Sequence, residues 1–201
     1  PTPTPPYESW DTAAHEIQQA IDEADDHNTI RVAAGTYDTG SQVAGDDYAC
    51  ETRVVLDHPV LVLSEEGAAN TFIVGDSDPE IRCAYVCSNA TLRGFTLTNG
   101  CASGAGGGVL CETGGIIDEC TIVDCIGNYP SSGTGGGVYG GTATRCEIRD
   151  CRAYRGGGAA CCRLVGCAVT NNHGVLQGGG AYQTYATNSV FANNLQSLSG
   201  Y

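Results

Sequence analysis

From Phe95 onward, apolar and polar positions alternate in short bursts that return at a nearly fixed interval. The bursts read Phe95-Thr-Leu-Thr-Asn99, Cys120-Thr-Ile-Val-Asp124, Cys146-Glu-Ile-Arg-Asp150, Cys167-Ala-Val-Thr-Asn171 and Ser189-Val-Phe-Ala-Asn193. Their centres, Leu97, Ile122, Ile148, Val169 and Phe191, are 21 to 26 residues apart. Such alternation predicts a short strand with one face inward. One burst is too short to bury that face, whereas stacked copies bury it continuously. The interval suits one coil of a parallel β-solenoid. Leucine-rich repeats have a similar length but need a multi-leucine motif that this chain lacks. Between bursts stand Gly106-Gly-Gly-Val109, Gly135-Gly-Gly-Val138, Gly156-Gly-Gly-Ala159 and Gly178-Gly-Gly-Ala181, which predict sharp bends with close backbone approach.

Together these landmarks resemble the right-handed parallel β-helix, or pectate-lyase-like, superfamily. The Gly-Gly-Gly-Val elements and Phe191-Ala-Asn-Asn194 are also similar to the repeats of polymorphic outer-membrane protein adhesins. The resemblance spans residues 12–194 and implies an all-β fold of about seven coils. Its motifs specify architecture rather than activity.

Three regions are expected. Residues 1–10 begin Pro-Thr-Pro-Thr-Pro-Pro and read as a Pro-rich arm or linker. Residues 11–28 start at an N-cap residue, Asp11, and carry Ile17, Ala20, Ile21 and Ala24 at helical spacing, which predicts an amphipathic helix capping the first coil. Residues 29–201 form the solenoid, with Gly40–Glu51 as a projecting loop. Little chain follows Asn194, so the last coil is expected to be open, either because a longer solenoid continues or because a partner meets it. The absence of Met suggests a processed or excised segment.

Stacking places side chains in columns about 4.8 Å apart. Asn99, Asp124, Asp150, Asn171 and Asn193 form one such column, read as a ladder that satisfies turn backbone groups. Asp124 and Asp150 give it a weak calcium alternative. With 12 cysteines, an oxidising compartment is expected. Cys120 with Cys146 and Cys125 with Cys151 occupy equivalent places on neighbouring coils, making coil-to-coil disulfides the expectation. A column of buried free thiols is the competing reading. Zinc-type spacing is absent, and no cofactor is called for. Asn89-Ala-Thr91 is a glycosylation sequon.

Charge separates the halves. Residues 1–100 hold 17 acids and 4 Arg, giving −13, and residues 101–201 hold 6 acids and 5 Arg, giving −1. An acidic chain without lysine disfavours nucleic-acid and anionic-membrane partners. The gradient favours head-to-tail contact between copies, against the plainer reading of a solvated acidic surface. No catalytic residues are assigned. The superfamily's lyase members imply a calcium site with an Arg or Lys base, and no such signature matches here. Asp118, Asp124 and Asp150 could serve an inverting hydrolase only if suitably paired, and the four His are scattered. The expected function is a non-enzymatic extracellular or cell-surface solenoid, a fibre subunit, adhesin or stalk, self-associating through its open last coil and its arm. The alternative is a carbohydrate-active enzyme or glycan-binding module, with Tyr139, Tyr154, Tyr182 and Tyr185 as contacts.

Overall fold

The structure, a computed structural model, describes residues 2–128 and 132–197. Residue 1 of the arm and residues 198–201 of the expected solenoid lie outside the described residues. The chain winds into an all-β parallel solenoid of about five turns. Sheet 1 stacks seven parallel strands from Thr29–Val32 to Tyr185–Thr187, and sheet 2 stacks seven from Gly35–Tyr37 to Val190–Ala192. Sheet 3 has five, from Cys101–Ala102 to Leu195–Gln196, while sheet 4 runs to Ala181–Tyr182 and has eight. The first two rungs lack a strand in sheet 3. There the chain leaves the helical path to make antiparallel pairs, Gln42–Ala44 with Cys50–Leu56 and Asp76–Ser77 with Glu80–Val86.

The core follows from register. Ile73, Leu97, Ile122, Ile148, Val169 and Phe191 align across sheet 2, so the recurrent apolar centre of each burst does face inward. Ile30, Val62, Leu92, Ile117, Ala143 and Leu164 align across sheet 1. Val54, Ala84, Val109, Val138 and Ala159 do so across sheet 4. All are buried except Phe191, on the last rung. Each large buried aliphatic side chain stabilises the fold by about 1.5–3 kcal/mol.

The glycine triplets bring neighbouring backbones together. A Cβ at Gly136 would lie 2.3 Å from the Gly157 carbonyl oxygen and 2.4 Å from that of Arg152. Only glycine admits that approach.

The N-terminal helix covers Ile17–Asp22, six residues, and not 11–28. Asp11 is not its cap: Thr12 N–H donates to Ser9 O at 3.1 Å, closing a separate turn. At the other end, the acids from Asp22 to Asp26 oppose the helix dipole. Ile17 and Ile21 are buried. The Pro-rich stretch lies against the residues that follow it, since Thr2 and Thr4 N–H donate to the carbonyls of Asp11 and Thr12 at 3.0 Å.

Arg82 is a finding that sequence reading missed. It is fully buried, and its guanidinium donates to Gly106 O at 2.9 Å, Tyr48 O at 2.8 Å, Ala105 O at 3.1 Å, Ala44 O at 3.3 Å and Thr52 Oγ1 at 3.2 Å. Desolvation pushes its pKa down. These five acceptors pin the loop 44–48 to the first glycine triplet.

Candidate functional site

Asn99, Asp124, Asp150, Asn171 and Asn193 all sit at the corner after sheet 2 with left-handed backbone, φ 53° to 57°. Asn and Asp tolerate this conformation best among side-chain-bearing residues. The inward column lies one residue later, at Cys125, Cys151, Asn172 and Asn194. Asn172 is fully buried. Its Oδ1 accepts from Cys151 N–H at 3.0 Å, and its Nδ2 donates to Ile148 O at 2.9 Å. Asn194 repeats the arrangement one rung on, accepting from Asn172 N–H at 3.0 Å and donating to Val169 O at 2.8 Å.

Thiols do related work in the earlier rungs. Cys120 Sγ lies 3.3 Å from Asp118 O and 3.7 Å from Leu92 O, Cys146 Sγ 3.5 Å from Ile117 O, Cys125 Sγ 3.7 Å from Leu97 O and Cys151 Sγ 3.8 Å from Ile122 O. Each thiol points at a carbonyl of the rung beneath. All twelve cysteines are free and no pair reaches bonding distance, which corrects the expected disulfides Cys120–Cys146 and Cys125–Cys151. Rung spacing satisfies the Cα requirement, but the side chains are aimed elsewhere. Burial pushes the Cys111, Cys120 and Cys162 thiols up to about 12. A hydrogen bond from Cys146 pulls Cys167 down to about 7.

At the corner after sheet 1 the structure builds an ion-pair network. Arg93 Nη2 lies 2.8 Å from Glu119 Oε2, while Arg145 reaches Asp118 Oδ2 at 2.6 Å and Glu119 Oε1 at 3.1 Å. Asp150 Oδ2 accepts from Arg149 at 2.9 Å. Two of the three aspartates considered for hydrolysis are thus tied to arginines. Asp124 instead lines a groove of about 420 Å³ together with Asp38, Arg53, Asp76, Ser77 and Asn99. Arg53 anchors that groove by donating to Val74 O at 2.8 Å and to Gly40 O. Among the described residues, no group of three or more His, Cys, Asp or Glu side chains is placed to hold a metal, so Asp124 and Asp150 gain no third ligand. Asn89 is exposed at a corner with φ 64°.

The rung 185–196 is different from all others. In four earlier rungs the amide of the left-handed residue after sheet 1 donates upward: Gly94 to Asp118 O, Glu119 to Thr144 O, Arg145 to Val165 O and Gly166 to Thr187 O, at 2.8–3.0 Å. In two of these rungs the following amide donates to a side chain, Phe95 N–H to Cys120 Sγ at 3.5 Å and Cys167 N–H to Ser189 Oγ at 3.0 Å. The glycine triplets donate upward too, Gly157 to Gly178 O at 3.1 Å and Ala159 to Gly180 O at 3.0 Å. At the last rung the corresponding amides of Asn188, Ser189, Asn193, Asn194, Gly179, Gly180 and Ala181 meet no acceptor among the described residues. Beside them Tyr185, Val190, Phe191 and Leu195 are exposed, at one end of all four sheets. This end can extend each sheet by a parallel strand.

Of the other tyrosines, Tyr139 packs edge-on against Tyr48 at 5.2 Å. Tyr154 and Tyr182 flank the guanidinium of Arg155, whose centre is 5.1 Å and 5.9 Å from their rings. No protein-family model matches the chain, and no curated protein or solved structure matches it with significant similarity.

Proposed function

We propose that the chain is a non-enzymatic structural solenoid, a rigid subunit that associates end to end with further copies through the rung 185–196. The observation that carries this reading is the set of upward amides of the sheet 1 corners and glycine triplets, satisfied at Gly94, Glu119, Arg145, Gly166 and in the triplets up to Ala159 but open at the last rung, beside exposed Phe191. A parallel rung from a second copy offers both the carbonyls and the apolar cover. Sheets 1 and 2 also have edge strands at the opposite end, Thr29–Val32 and Gly35–Tyr37, which favours head-to-tail growth into a surface fibre, adhesin or stalk.

The finer reading is a right-handed, pectate-lyase-like β-helix of about seven coils, capped by the helix Ile17–Asp22 and located outside the cell. Burial of Ile17 and Ile21 supports the cap. The extracellular assignment rests on the resemblance of the repeats, because free thiols do not argue for an oxidising compartment.

Negative-stain microscopy with solution mass tests the assembly. Filaments or defined oligomers are expected for the wild type, with monomers for Phe191→Asp and Val190→Lys. A wild type that stays monomeric across concentration, or assemblies indifferent to both substitutions, would sink the proposal. The groove lined by Asp38, Asp76, Asp124 and Arg53 favours a second reading, glycan binding. Binding or turnover of a polysaccharide abolished by Asp124→Ala would select it.

A further inference from the structure

Arg155 stands out among the arginines of a chain with net charge −14. Its guanidinium lies within cation–π reach of two rings, Tyr154 at 5.1 Å and Tyr182 at 5.9 Å, and its buried Nε has no hydrogen-bond partner. Among the described residues no carboxylate lies within 4.0 Å of it, nor of Arg152. Arg31, Arg93, Arg145 and Arg149 all have acidic partners. Arg152 is exposed and belongs to the same strand of sheet 3 as Tyr154 and Arg155. In the next rung of that sheet, Arg152 is in register with His173, and His173 with exposed Leu195. The late rungs therefore present a cationic, aromatic patch that continues to the open end.

A guanidinium in contact with two rings is restricted in position while its N–H groups can still serve a carboxylate. The complementary feature is at the other end of the same chain. Asp22, Glu23, Asp25 and Asp26 are exposed around the end of the helix, and among the described residues none forms a salt bridge.

We propose that the patch of Arg152, Tyr154, Arg155 and Tyr182 receives the acidic turn 22–26 of a second copy. This rests on the end-to-end reading and adds its specificity. Contact between two different surfaces is heterologous and propagates a chain of subunits, whereas an isologous contact would close at a dimer. Charge attraction also gives it a salt dependence that apolar stacking alone lacks.

The test is a charge swap in the full chain, read by sedimentation velocity and checked for folding by circular dichroism. One variant carries Arg152→Glu and Arg155→Glu, the other Asp25→Arg and Asp26→Arg. Each alone is expected to associate at least about tenfold more weakly than wild type. An equimolar mixture is expected to recover association, because each patch then meets a turn of opposite charge. Raising salt from about 50 mM to about 500 mM should weaken the wild type and the mixture alike. If the reversed patch misfolds, Arg152→Gln with Arg155→Gln supplies the neutral version, for which weaker association is again expected. Wild-type assembly with no effect of either variant overturns the patch and leaves end-to-end growth standing. A monomeric wild type overturns both. A patch that instead binds an anionic polysaccharide, with binding lost on Arg152→Glu and Arg155→Glu and no self-association, assigns it to a polyanion and overturns the second-copy occupant.

Discussion

Cys151 donates its amide proton to Oδ1 of Asn172, one rung ahead, at 3.0 Å. The corner after sheet 2 turns inward, so this N–H is buried and no water replaces the bond. Asn172 also supplies Nδ2 to Ile148 O at 2.9 Å. Replacing Asn172 by Leu leaves a buried donor and a buried acceptor unmet, and a loss of roughly 2–5 kcal/mol is expected. Asn172→Cys should cost less, since Cys125 and Cys151 already serve the equivalent carbonyls. Urea unfolding of the two variants checks the order. Equal losses would show that volume, rather than hydrogen bonding, decides this position.

Much of the solenoid is legible in the sequence because the rungs after Phe95 repeat nearly the same spacing. The alternation around Leu97, Ile122, Ile148, Val169 and Phe191 has period two, and register across sheet 2 puts all five in one inward column. The second column is hidden because its residue type changes along the axis, from Cys125 and Cys151 to Asn172 and Asn194. Its chemistry is continuous, since each side chain donates to the rung beneath, but sequence similarity is not. Arg82 is hidden for a different reason: an isolated arginine in an apolar strand gives no sign of the loop carbonyls that surround it. The disulfide expectation used Cα spacing, whereas the thiols' direction toward backbone oxygens decides the outcome. The network of Arg93, Asp118, Glu119 and Arg145 could have been found from its rung spacing, because Asp118 is in direct register with Arg93.

Glycine is required in the middle of each triplet by space. A Cβ at Gly136 would meet two carbonyl oxygens, at 2.3 Å and 2.4 Å, and both belong to backbone that cannot rotate away. Gly136→Ala is expected to destabilise by roughly 3–5 kcal/mol. Gly67 is a useful control. It has φ +75° but no atom within 4 Å of its Cβ position, so Gly67→Ala should cost only about 1–2 kcal/mol from backbone conformation. Thermal unfolding of both variants separates crowding from strain, and comparable losses would count against the packing argument.

Thiol reactivity distinguishes the free-cysteine core from a cross-linked one. Cys161 is the only exposed cysteine and should react first with a thiol reagent in the native protein. Cys120 and Cys111, pushed up to about 12 by burial, should react only on unfolding. In denaturant without reductant all twelve should titrate, and fewer would mean that disulfides exist. The same burial makes stability fall in alkali. A thiol whose folded pKa is raised adds stability below its unfolded value of about 8.5, and that stability is lost as pH rises toward the folded value.

Glu119 gives the opposite pH dependence. The hydrogen bond from Arg93 is the largest influence on its carboxyl; burial, the next largest, opposes it, and with the attraction of Arg93 and the contacts of Arg145 the lowering influences prevail, so the group is held below the ordinary carboxylate range. A carboxylate with a depressed folded pKa contributes stability that is complete above the unfolded value of about 4.3. That contribution is lost as pH falls through the folded value. Glu119→Gln keeps the shape of the side chain and removes its charge, so it should lower the urea midpoint at pH 7. Near pH 2, where the wild-type carboxyl is protonated as well, the two midpoints should converge. Added salt at pH 7 should narrow the gap in the same direction, because the pairs are partly exposed to solvent. A gap that persists unchanged in acid would mean that Glu119 acts through packing on the neighbouring arginine stems, and the electrostatic account of this corner would have to be abandoned.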